Sequence, residues 1–255
     1  MKALAVIPSR YASTRFPGKP LALLGGHPIV EWVWRRASEA LGEPAIVATD
    51  NSSIYDVVKA FGGRVMMTRS DHRSGTDRCG EVAAQLNAAG EHYDIIVNVQ
   101  GDEPFVRSEQ LQALVKRFEQ PEVQIATLRT PITESSELLS PNNVKVVATA
   151  DGKALYFSRQ ALPYIRGAEQ KTWASNHLYY KHVGVYAFRN NILQQLTSLP
   201  TGMLEQCESL EQLRWLEQGY NIYLCDTTHH NIGIDTPADL QQAEKMLDDD
   251  TLTMN

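Results

Sequence analysis

The chain opens with Lys2-Ala-Leu-Ala-Val-Ile-Pro8, which is followed by Ser9-Arg-Tyr-Ala-Ser-Thr-Arg-Phe-Pro-Gly-Lys-Pro20. The residues from Ala3 to Ile7 are all apolar. A short apolar run that ends at a proline is typical of a central strand in a parallel sheet. Open α/β sheets bind ligands in the loops at the carboxyl ends of such strands. This stretch therefore predicts both the sheet and the edge at which a ligand binds.

Three cations, Arg10, Arg15 and Lys19, lie in the predicted loop, and no carboxylate accompanies them. Basic residues in a surface loop are often simply solvated. In a chain that is acidic overall, three cations at a ligand-binding edge favour a polyanion such as a nucleoside triphosphate. The P-loop pattern is absent, because Pro20 follows Gly18-Lys19 and position 13 is serine. The Gly-x-Gly-x-x-Gly pattern of dinucleotide-binding loops is absent too. We therefore expect side-chain cations to hold the anion.

The chain has 255 residues and a formal net charge of −6. That length suffices for one large α/β domain or two small ones. The acidic balance argues against nucleic acid as a partner, since nucleic-acid binding needs a basic surface. The first apolar run is too short for a signal peptide or a membrane span. The three cysteines are widely spaced, and we expect reduced thiols in a cytoplasmic protein without a zinc site.

Apolar periodicity and helix-breaking residues predict strands and helices that alternate along the first half. The predicted order is helix 28–41, strand 45–49, a helix to about residue 61, and strand 64–67. Such an order predicts a parallel sheet with right-handed crossovers. The pattern changes at residue 144, where strands 144–149 and 154–157 flank Asp151-Gly152, a strong hairpin signal. An antiparallel section therefore follows the parallel half.

A second loop, from Ser70 to Thr76, precedes a predicted helix. Ser74, Gly75 and Thr76 would place hydroxyls and backbone N–H groups at the start of that helix, which suits an anion or the polar edge of a base. The alternative is that Thr76 is merely the N-cap of the helix.

A third loop, Gln100-Gly-Asp-Glu-Pro104, follows the apolar strand 94–99. An aspartate just past the carboxyl end of a buried strand is well placed to hold a metal near a phosphate. The alternative is an aspartate in an ordinary turn. Because Asp102 would share a sheet edge with the cationic loop, the metal interpretation is favoured.

Further side chains stand out in the second half. Helix 204–218 would place Glu208, Glu211 and Gln212 at i, i+3 and i+4, close enough to act together, although such acids are usually solvated. Alternation along strand 182–188 would place His182 on the same face as Tyr186. Asp235 is expected to be the N-cap of a closing helix, with Pro237 in its first turn.

Seven stretches form a recognisable set: Ile7–Pro20, Ser74–Asp77, Asn98–Pro104, Ala154–Arg159, His182–Tyr186, Leu210–Arg214 and Gly233–Pro237. Together they resemble the 3-deoxy-manno-octulosonate cytidylyltransferases. The match runs nearly end to end and in order, so the set is far more specific than any one of its motifs.

The resemblance implies that CTP and the acidic sugar 3-deoxy-manno-octulosonate (Kdo) give CMP-Kdo and pyrophosphate, with Mg²⁺, for lipopolysaccharide biosynthesis. It also implies an α/β fold of the nucleotide-diphospho-sugar transferase type, with a central mixed, mostly parallel sheet flanked by helices. The expected domain is 1–255, with 144–188 as the antiparallel section for the sugar pocket and for a homodimer. No membrane partner is implied.

The resemblance also implies roles for particular residues. The catalytic set is Arg10, Lys19, Asp102 and Asp235, and the two aspartates are the metal ligands. The nucleotide-binding set is Pro8, Ser9, Arg10, Arg15, Lys19, Arg73, Ser74, Gly75, Thr76 and Gln100. The sugar-binding set is Arg159, His182, Tyr186, Glu211 and Gln212. Ser9 stands where the family usually has alanine, and we expect its small hydroxyl to change little unless it crowds the base.

Three alternatives remain open. The sugar substrate could be the 8-amino analogue of Kdo or another acidic sugar of eight or nine carbons. An NAD(P) oxidoreductase is disfavoured by the missing glycine fingerprint. A non-catalytic nucleotide-binding protein is disfavoured because both aspartates and the loop cations are present.

Overall fold

The computed structural model describes residues 1–12, 15–229 and 233–248. The strands are β1 (Ala3–Pro8), β2 (Leu23–Leu24), β3 (His27–Pro28), β4 (Ile46–Thr49), β5 (Arg64–Met67), β6 (Ile95–Asn98), β7 (Ile125–Ile132), β8 (Lys145–Ala148), β9 (Ala154–Ser158), β10 (Tyr179–Arg189) and β11 (Ile222–Asp226). The helices are α1 (Ile29–Leu41), α2 (Ser52–Ala60), α3 (Gly75–Ala88), α4 (Ser108–Arg117), α5 (Ser135–Leu139), α6 (Trp173–Asn176), α7 (Asn190–Leu196), α8 (Met203–Glu208), α9 (Glu211–Glu217) and α10 (Pro237–Asp248).

The chain forms two compact units. The first comprises Met1–Val115, Ala187–Thr197 and the described part of Asn231–Asn255. The second comprises Lys116–Tyr186 and the described part of Ser198–His230. The predicted boundaries, 1–255 with the section 144–188, stay a prediction.

The first unit is built on a parallel sheet in the order β6-β1-β4-β5. Leu4, Val6 and Ile7 of β1 are completely buried, as expected of a central strand. Helices follow β4 and precede β6, so the predicted alternation is present. A small antiparallel ladder joins β2 to β3. The carboxyl ends of β1 and β6 therefore lie side by side, which places the loops that follow them at one edge.

The second unit holds the antiparallel section. β8 pairs with β9 and with β10 in antiparallel fashion, whereas β7 pairs in parallel with β11. The β8–β9 turn contains Gly152 at φ 83°, in the left-handed region that glycine adopts without strain. The predicted hairpin is confirmed. The predicted fold class, α/β with a mixed, mostly parallel sheet flanked by helices, is also confirmed.

The predicted helix 204–218 is wrong, because the segment forms two helices. α8 ends at Glu208, Ser209 adopts the left-handed conformation (φ 52°), and α9 starts at Glu211. The carboxylate of Glu208 accepts a hydrogen bond from Ser158 Oγ at 2.6 Å. The expected i, i+3, i+4 grouping of Glu208 with Glu211 and Gln212 therefore does not form, since a tertiary contact holds Glu208 elsewhere.

Asp235 is not the N-cap of the closing helix. That helix, α10, begins at Pro237, and Thr236 Oγ1 accepts from the backbone N–H of Asp239 at 3.2 Å. The Asp239 carboxylate in turn accepts from the backbone N–H groups of Asp235 and Thr236. These local bonds leave the Asp235 carboxylate available for a contact made elsewhere in the fold. Within the residues described, no helix combines the length and apolarity needed to cross a bilayer.

Candidate active site

A cavity of about 400 Å³ lies in the first unit, beside the carboxyl ends of β1 and β6. It is lined by Pro8, Ser9, Arg10, Ala12, Arg15, Lys19, Pro20, His72, Arg73, Ser74, Gly75, Arg78, Gln100, Gly101, Asp102 and Asp235. The structure thus brings the predicted nucleotide-binding and metal-binding residues together around one cavity, with the exception of Thr76. Thr76 is buried in the first turn of α3.

One buried ammonium joins the two predicted metal-binding aspartates. Lys19 Nζ lies 2.6 Å from Asp102 Oδ2 and 3.0 Å from Asp235 Oδ1. Arg15 Nη2 lies 2.9 Å from the other oxygen of Asp235. The Lys19 side chain is 11% exposed, so its ion pairs are sheltered from water, whereas Arg15 is largely exposed. Charged groups from three separate loops therefore converge at a single point.

The two carboxylates fit a particular kind of metal site. No cluster of three or more His, Cys, Asp or Glu side chains that could hold a metal occurs in the described part of the chain. Mg²⁺ does not need such a cluster, because it is commonly bound by one or two carboxylates, substrate phosphates and water. Asp102 and Asp235 already share a cation, the Lys19 ammonium. Two carboxylates of this kind are a donor set that could hold a Mg²⁺ ion.

Close backbone packing explains the glycine in the loop after β6. A Cβ atom on Gly101 would lie 2.7 Å from Ser9 Oγ and 2.9 Å from the carbonyl oxygen of Pro8. Such contacts are too short for a real Cβ atom. The carbonyl oxygen of Pro8 belongs to the backbone, so it cannot move away by a side-chain rotation. The loops after β1 and β6 therefore approach each other as closely as they do only because residue 101 has no side chain.

The loop before α3 is anchored to its own helix. Ser74 is the N-cap of α3, and its Oγ accepts from the backbone N–H of Asp77 at 3.1 Å. The Thr76 alternative for the N-cap is therefore wrong. The Asp77 carboxylate accepts from the backbone N–H of Arg73 at 3.3 Å, and His72 Nε2 contacts the Glu81 carboxylate. Two carboxylates of α3 thus fix the wall of the cavity formed by this loop.

Several lining residues were not predicted. His72 and Arg78 are the two ionisable ones, and Ala12, Pro20 and Gly101 complete this set. Arg78 is buried and donates to Thr68 Oγ1 at 2.7 Å, to the carbonyl oxygen of Arg69 at 3.0 Å, and to the Asp50 carboxylate. The sequence spacing could have predicted Arg78, because it follows Ser74 by four residues and therefore lies on the same face of the helix.

Predicted sugar-binding residues of the second unit form an aromatic group. The His182 ring lies 5.2 Å from that of Tyr186, which in turn lies 5.2 Å from the Trp215 ring. His182 Nε2 is 2.9 Å from Thr127 Oγ1. Gln212 is buried, and its amide nitrogen has no hydrogen-bond partner within the residues that the structure describes. A buried donor of this kind is suited to a polar ligand.

Glu211 and Arg159 complete the predicted sugar set. Glu211 accepts from Arg214 Nη2 at 2.9 Å, and its charge adds to the effect of burial in raising the pKa of Tyr186. Arg159 lies next to the break between α8 and α9, where its guanidinium donates to the carbonyl oxygens of Glu208 and Ser209. Glu211 therefore acts electrostatically on Tyr186. Arg159 contacts Glu208 and Ser209, the residues just before α9.

Burial keeps His182 uncharged. Desolvation lowers the pKa of His182 from its ordinary 6.5 to about 3. The imidazole of His182 is therefore neutral at neutral pH. It is therefore an uncharged hydrogen-bonding group, and it adds no cation to this part of the second unit.

The lowered pKa of His182 predicts a pH-dependent stability. The unfolded chain protonates this imidazole below its ordinary pKa of 6.5, whereas the folded chain does so only near 3. The free energy of unfolding should therefore fall as the pH drops through this window, by up to about 1.4 kcal/mol per pH unit from this group. Urea unfolding between about pH 7 and about pH 4.5 should show a shallower dependence in His182→Gln than in the unmodified protein.

The exposed His229 provides the matched control for this measurement. His229→Gln should keep the pH dependence of the unmodified protein. Equal dependence in all three proteins would contradict the assignment of the effect to His182.

Comparison with known proteins identifies the family. The cytidylyltransferase family model matches residues 4–222. A 3-deoxy-manno-octulosonate cytidylyltransferase of Phocaeicola vulgatus is 50% identical over 250 residues, which cover 97% of this chain and 98% of the relative. The protein of the same name from Parabacteroides distasonis is 49% identical over 247 residues, with 95% and 97% of the two chains covered.

A solved structure supports the same assignment. The structure of CMP:2-keto-3-deoxy-manno-octonic acid synthetase complexed with CTP superposes with a TM-score of 0.89 at 41% identity, covering 98% of this chain and 99% of the other. The resemblance predicted from the seven motifs is therefore confirmed. On sequence and fold alike, this chain belongs to the 3-deoxy-manno-octulosonate cytidylyltransferase family.

Proposed function

We propose that this chain transfers CMP from CTP to Kdo and releases pyrophosphate, in a Mg²⁺-dependent reaction that serves lipopolysaccharide biosynthesis. The observation that carries the proposal is the convergence of Lys19, Asp102 and Asp235 at one cavity. This cavity lies in a chain that is 41% identical to a synthetase solved with CTP.

The cavity residues would bind the triphosphate through fixed charge. Arg10, Arg15 and Lys19 line the cavity from the loop after β1. Lys19 donates to two carboxylates, which uses two of the three hydrogens of its ammonium and leaves one for a phosphate oxygen. Groups held in place before the reaction stabilise the charge that develops on the leaving pyrophosphate, typically by a few kcal/mol each.

Asp102 and Asp235 would hold the metal ion. When it is bound, Mg²⁺ offsets phosphate charge and lowers the pKa of the attacking hydroxyl. The side chains of the protein position the reactants, because the anomeric hydroxyl of the sugar must attack the α-phosphorus in line with the departing pyrophosphate. No residue is required as a covalent nucleophile.

The second unit would supply the sugar-binding groups. Neutral His182 and the unpartnered amide nitrogen of Gln212 suit hydroxyl groups, because both are buried and uncharged. Arg159 suits the carboxylate of the sugar, as guanidinium pairs with carboxylates. The Glu211 carboxylate is already paired with Arg214 at 2.9 Å, so the Arg159 guanidinium beside neutral polar groups favours a polyhydroxy acid over a neutral sugar.

A pyrophosphate-release assay tests the proposal. CTP and Mg²⁺ should release pyrophosphate with Kdo, and an excess of chelator should abolish the release. Parallel reactions with 8-amino-Kdo and with N-acetylneuraminate identify the preferred sugar. Faster turnover of 8-amino-Kdo would favour the alternative substrate. Binding of CTP without pyrophosphate release from any of the three sugars would favour a non-catalytic nucleotide-binding protein.

Replacing His182 by alanine should act on the sugar and not on the nucleotide. The change removes a buried neutral imidazole and its contact with Thr127. We expect the KM for Kdo to rise by about tenfold or more, whereas the KM for CTP should change by less than about twofold. His229→Ala, at an exposed position, should leave both constants unchanged. Equal increases in both KM values would show that His182 does not belong to the sugar site.

We further propose that the protein is a cytoplasmic homodimer that pairs through the section 144–188. Leu155, Tyr164 and Leu178 of this section are large apolar side chains, 57%, 71% and 56% exposed. Burying them against a second copy would remove apolar surface from water. Light scattering should report twice the mass of one chain, and the mass of a single chain would contradict the proposal.

A further inference from the structure

Two ionised side chains, the buried Lys145 and the partly buried Glu208, hold the peptide groups of Arg159 in the second unit. Lys145 Nζ donates to the carbonyl oxygen of Arg159. Glu208 Oε2 accepts from the backbone N–H of Arg159 at 2.9 Å. A cation therefore holds one side of this residue, and a carboxylate holds the other.

Lys145 is completely buried, which is rare for a lysine without a specific role. Its ammonium also donates to the carbonyl oxygens of Ser140 at 2.9 Å and Asn143 at 2.6 Å. With the carbonyl oxygen of Arg159, these acceptors use all three of its hydrogens. Desolvation lowers the pKa of Lys145. A buried ammonium is costly unless each of its bonds is made, so the three carbonyl groups are held in one arrangement.

Glu208 fixes the side chain of Arg159 as well as its backbone. The backbone carbonyl oxygen of Glu208 accepts from Arg159 Nε at 2.7 Å, and Pro141 O accepts from Nη1 at 3.0 Å. A longer bond of 3.4 Å joins Nη2 to the carbonyl oxygen of Ser209. These bonds use three of the five N–H groups of the guanidinium. Two remain for a ligand, and their direction is set by the bonds already made.

The three ionised side chains also leave a net positive charge. Lys145 and Arg159 are cationic, and Glu208 is the carboxylate that contacts Arg159. One negative charge cannot balance two positive ones, so the group carries an excess of one positive charge. A carboxylate ligand would compensate it, and a neutral sugar would not.

We infer that Lys145 is a positioning residue for the acidic-sugar site: with Glu208 it fixes the direction of Arg159, and it supplies the positive charge that the sugar carboxylate balances. The inference rests on the proposed function, because it concerns the binding of Kdo. A purely structural lysine would stabilise the fold without distinguishing one substrate from the other.

Lys145→Met tests this role, because methionine keeps much of the length of the side chain and removes the ammonium. In the pyrophosphate assay, the KM for Kdo should rise by about twentyfold or more, the KM for CTP should stay within about twofold, and kcat should fall less than about fivefold. Lys153→Met, on the same hairpin but not fully buried, is the matched control and should leave all three constants unchanged.

Glu208→Ala is the second variant. It tests whether fixing Arg159 affects sugar binding even if Lys145→Met fails to fold. Glu208 is only partly buried, and its removal frees the Arg159 backbone while the two cations stay. The KM for Kdo should rise by about fivefold, which is less than in Lys145→Met, because both cations stay and only the carboxylate that holds the Arg159 backbone is lost.

Thermal unfolding identifies which variants are folded. An unchanged KM for Kdo, or equal changes for Kdo and CTP, in a folded variant would overturn the inference while leaving the proposed function intact. No turnover by the unmodified protein would overturn the proposed function, and the inference with it.

Discussion

Replacing Asp102 by asparagine is expected to lower the turnover of CTP and Kdo by about a thousandfold or more at saturating Mg²⁺. Asparagine has nearly the same shape, so the cavity should persist. The variant lacks the negative charge that Lys19 Nζ contacts at 2.6 Å, and it loses one of the two carboxylates proposed to hold the metal. Pyrophosphate release measures the loss.

Two further measurements show that the loss is specific. CTP binding by calorimetry without Mg²⁺ should change by less than about fivefold, because Arg10 and Arg15 remain in the cavity. Asp56→Asn, at an exposed position on α2, should turn over normally. Near-normal turnover of Asp102→Asn would show that Asp102 neither holds the metal nor orders Lys19.

Replacing Lys19 by methionine is expected to lower kcat by about a hundredfold or more and, at the same time, to lower the Mg²⁺ concentration needed for half-maximal activity. The ammonium contacts both Asp102 and Asp235, so its removal leaves two carboxylates without their shared counter-ion. Arg15 still contacts Asp235, but with less compensating positive charge the two carboxylates attract a divalent cation more strongly. The phosphate-binding cation is lost in the same step, which slows the reaction.

A lower kcat together with a lower Mg²⁺ requirement distinguishes this prediction from a general loss of activity. A Mg²⁺ titration of pyrophosphate release measures both quantities in one experiment. Lys116→Met, at an exposed position on α4, is the control and should change neither. A higher Mg²⁺ requirement in Lys19→Met would show that the lysine does not compete with the metal for these carboxylates.

Much of the first unit could be predicted from the sequence, because its signals are local. The apolar run Ala3–Ile7 predicts a buried strand, and β1 is one. The loops at Arg10–Lys19, Arg73–Thr76 and Gln100–Asp102 follow strands or precede a helix. Parallel strands place the loops that follow them at one edge of a sheet, so Asp102 was expected beside the cationic loop, and both line the cavity. The roles of its residues in binding and catalysis remain predictions.

The errors arose where a tertiary bond outweighed a local preference. Residues 204–218 have a helical pattern, yet Glu208 bonds to Ser158 and Arg159, and the helix breaks at Ser209. Asp235 is a good N-cap residue, but its carboxylate contacts Lys19 and Arg15 while Thr236 caps α10. Partners far away in the chain cannot be read from the pattern of neighbouring residues.

The sequence by itself determined the alternation of the main strands and helices in the first half of the chain, the position of the ligand-binding loops and the family, since these depend on short-range periodicity and on motifs. Only the tertiary structure decided that Lys19 joins Asp102 to Asp235, that His182 is neutral and that Lys145 holds Arg159. These properties depend on distances between remote residues and on the loss of water around them, and both exist only once the chain has folded.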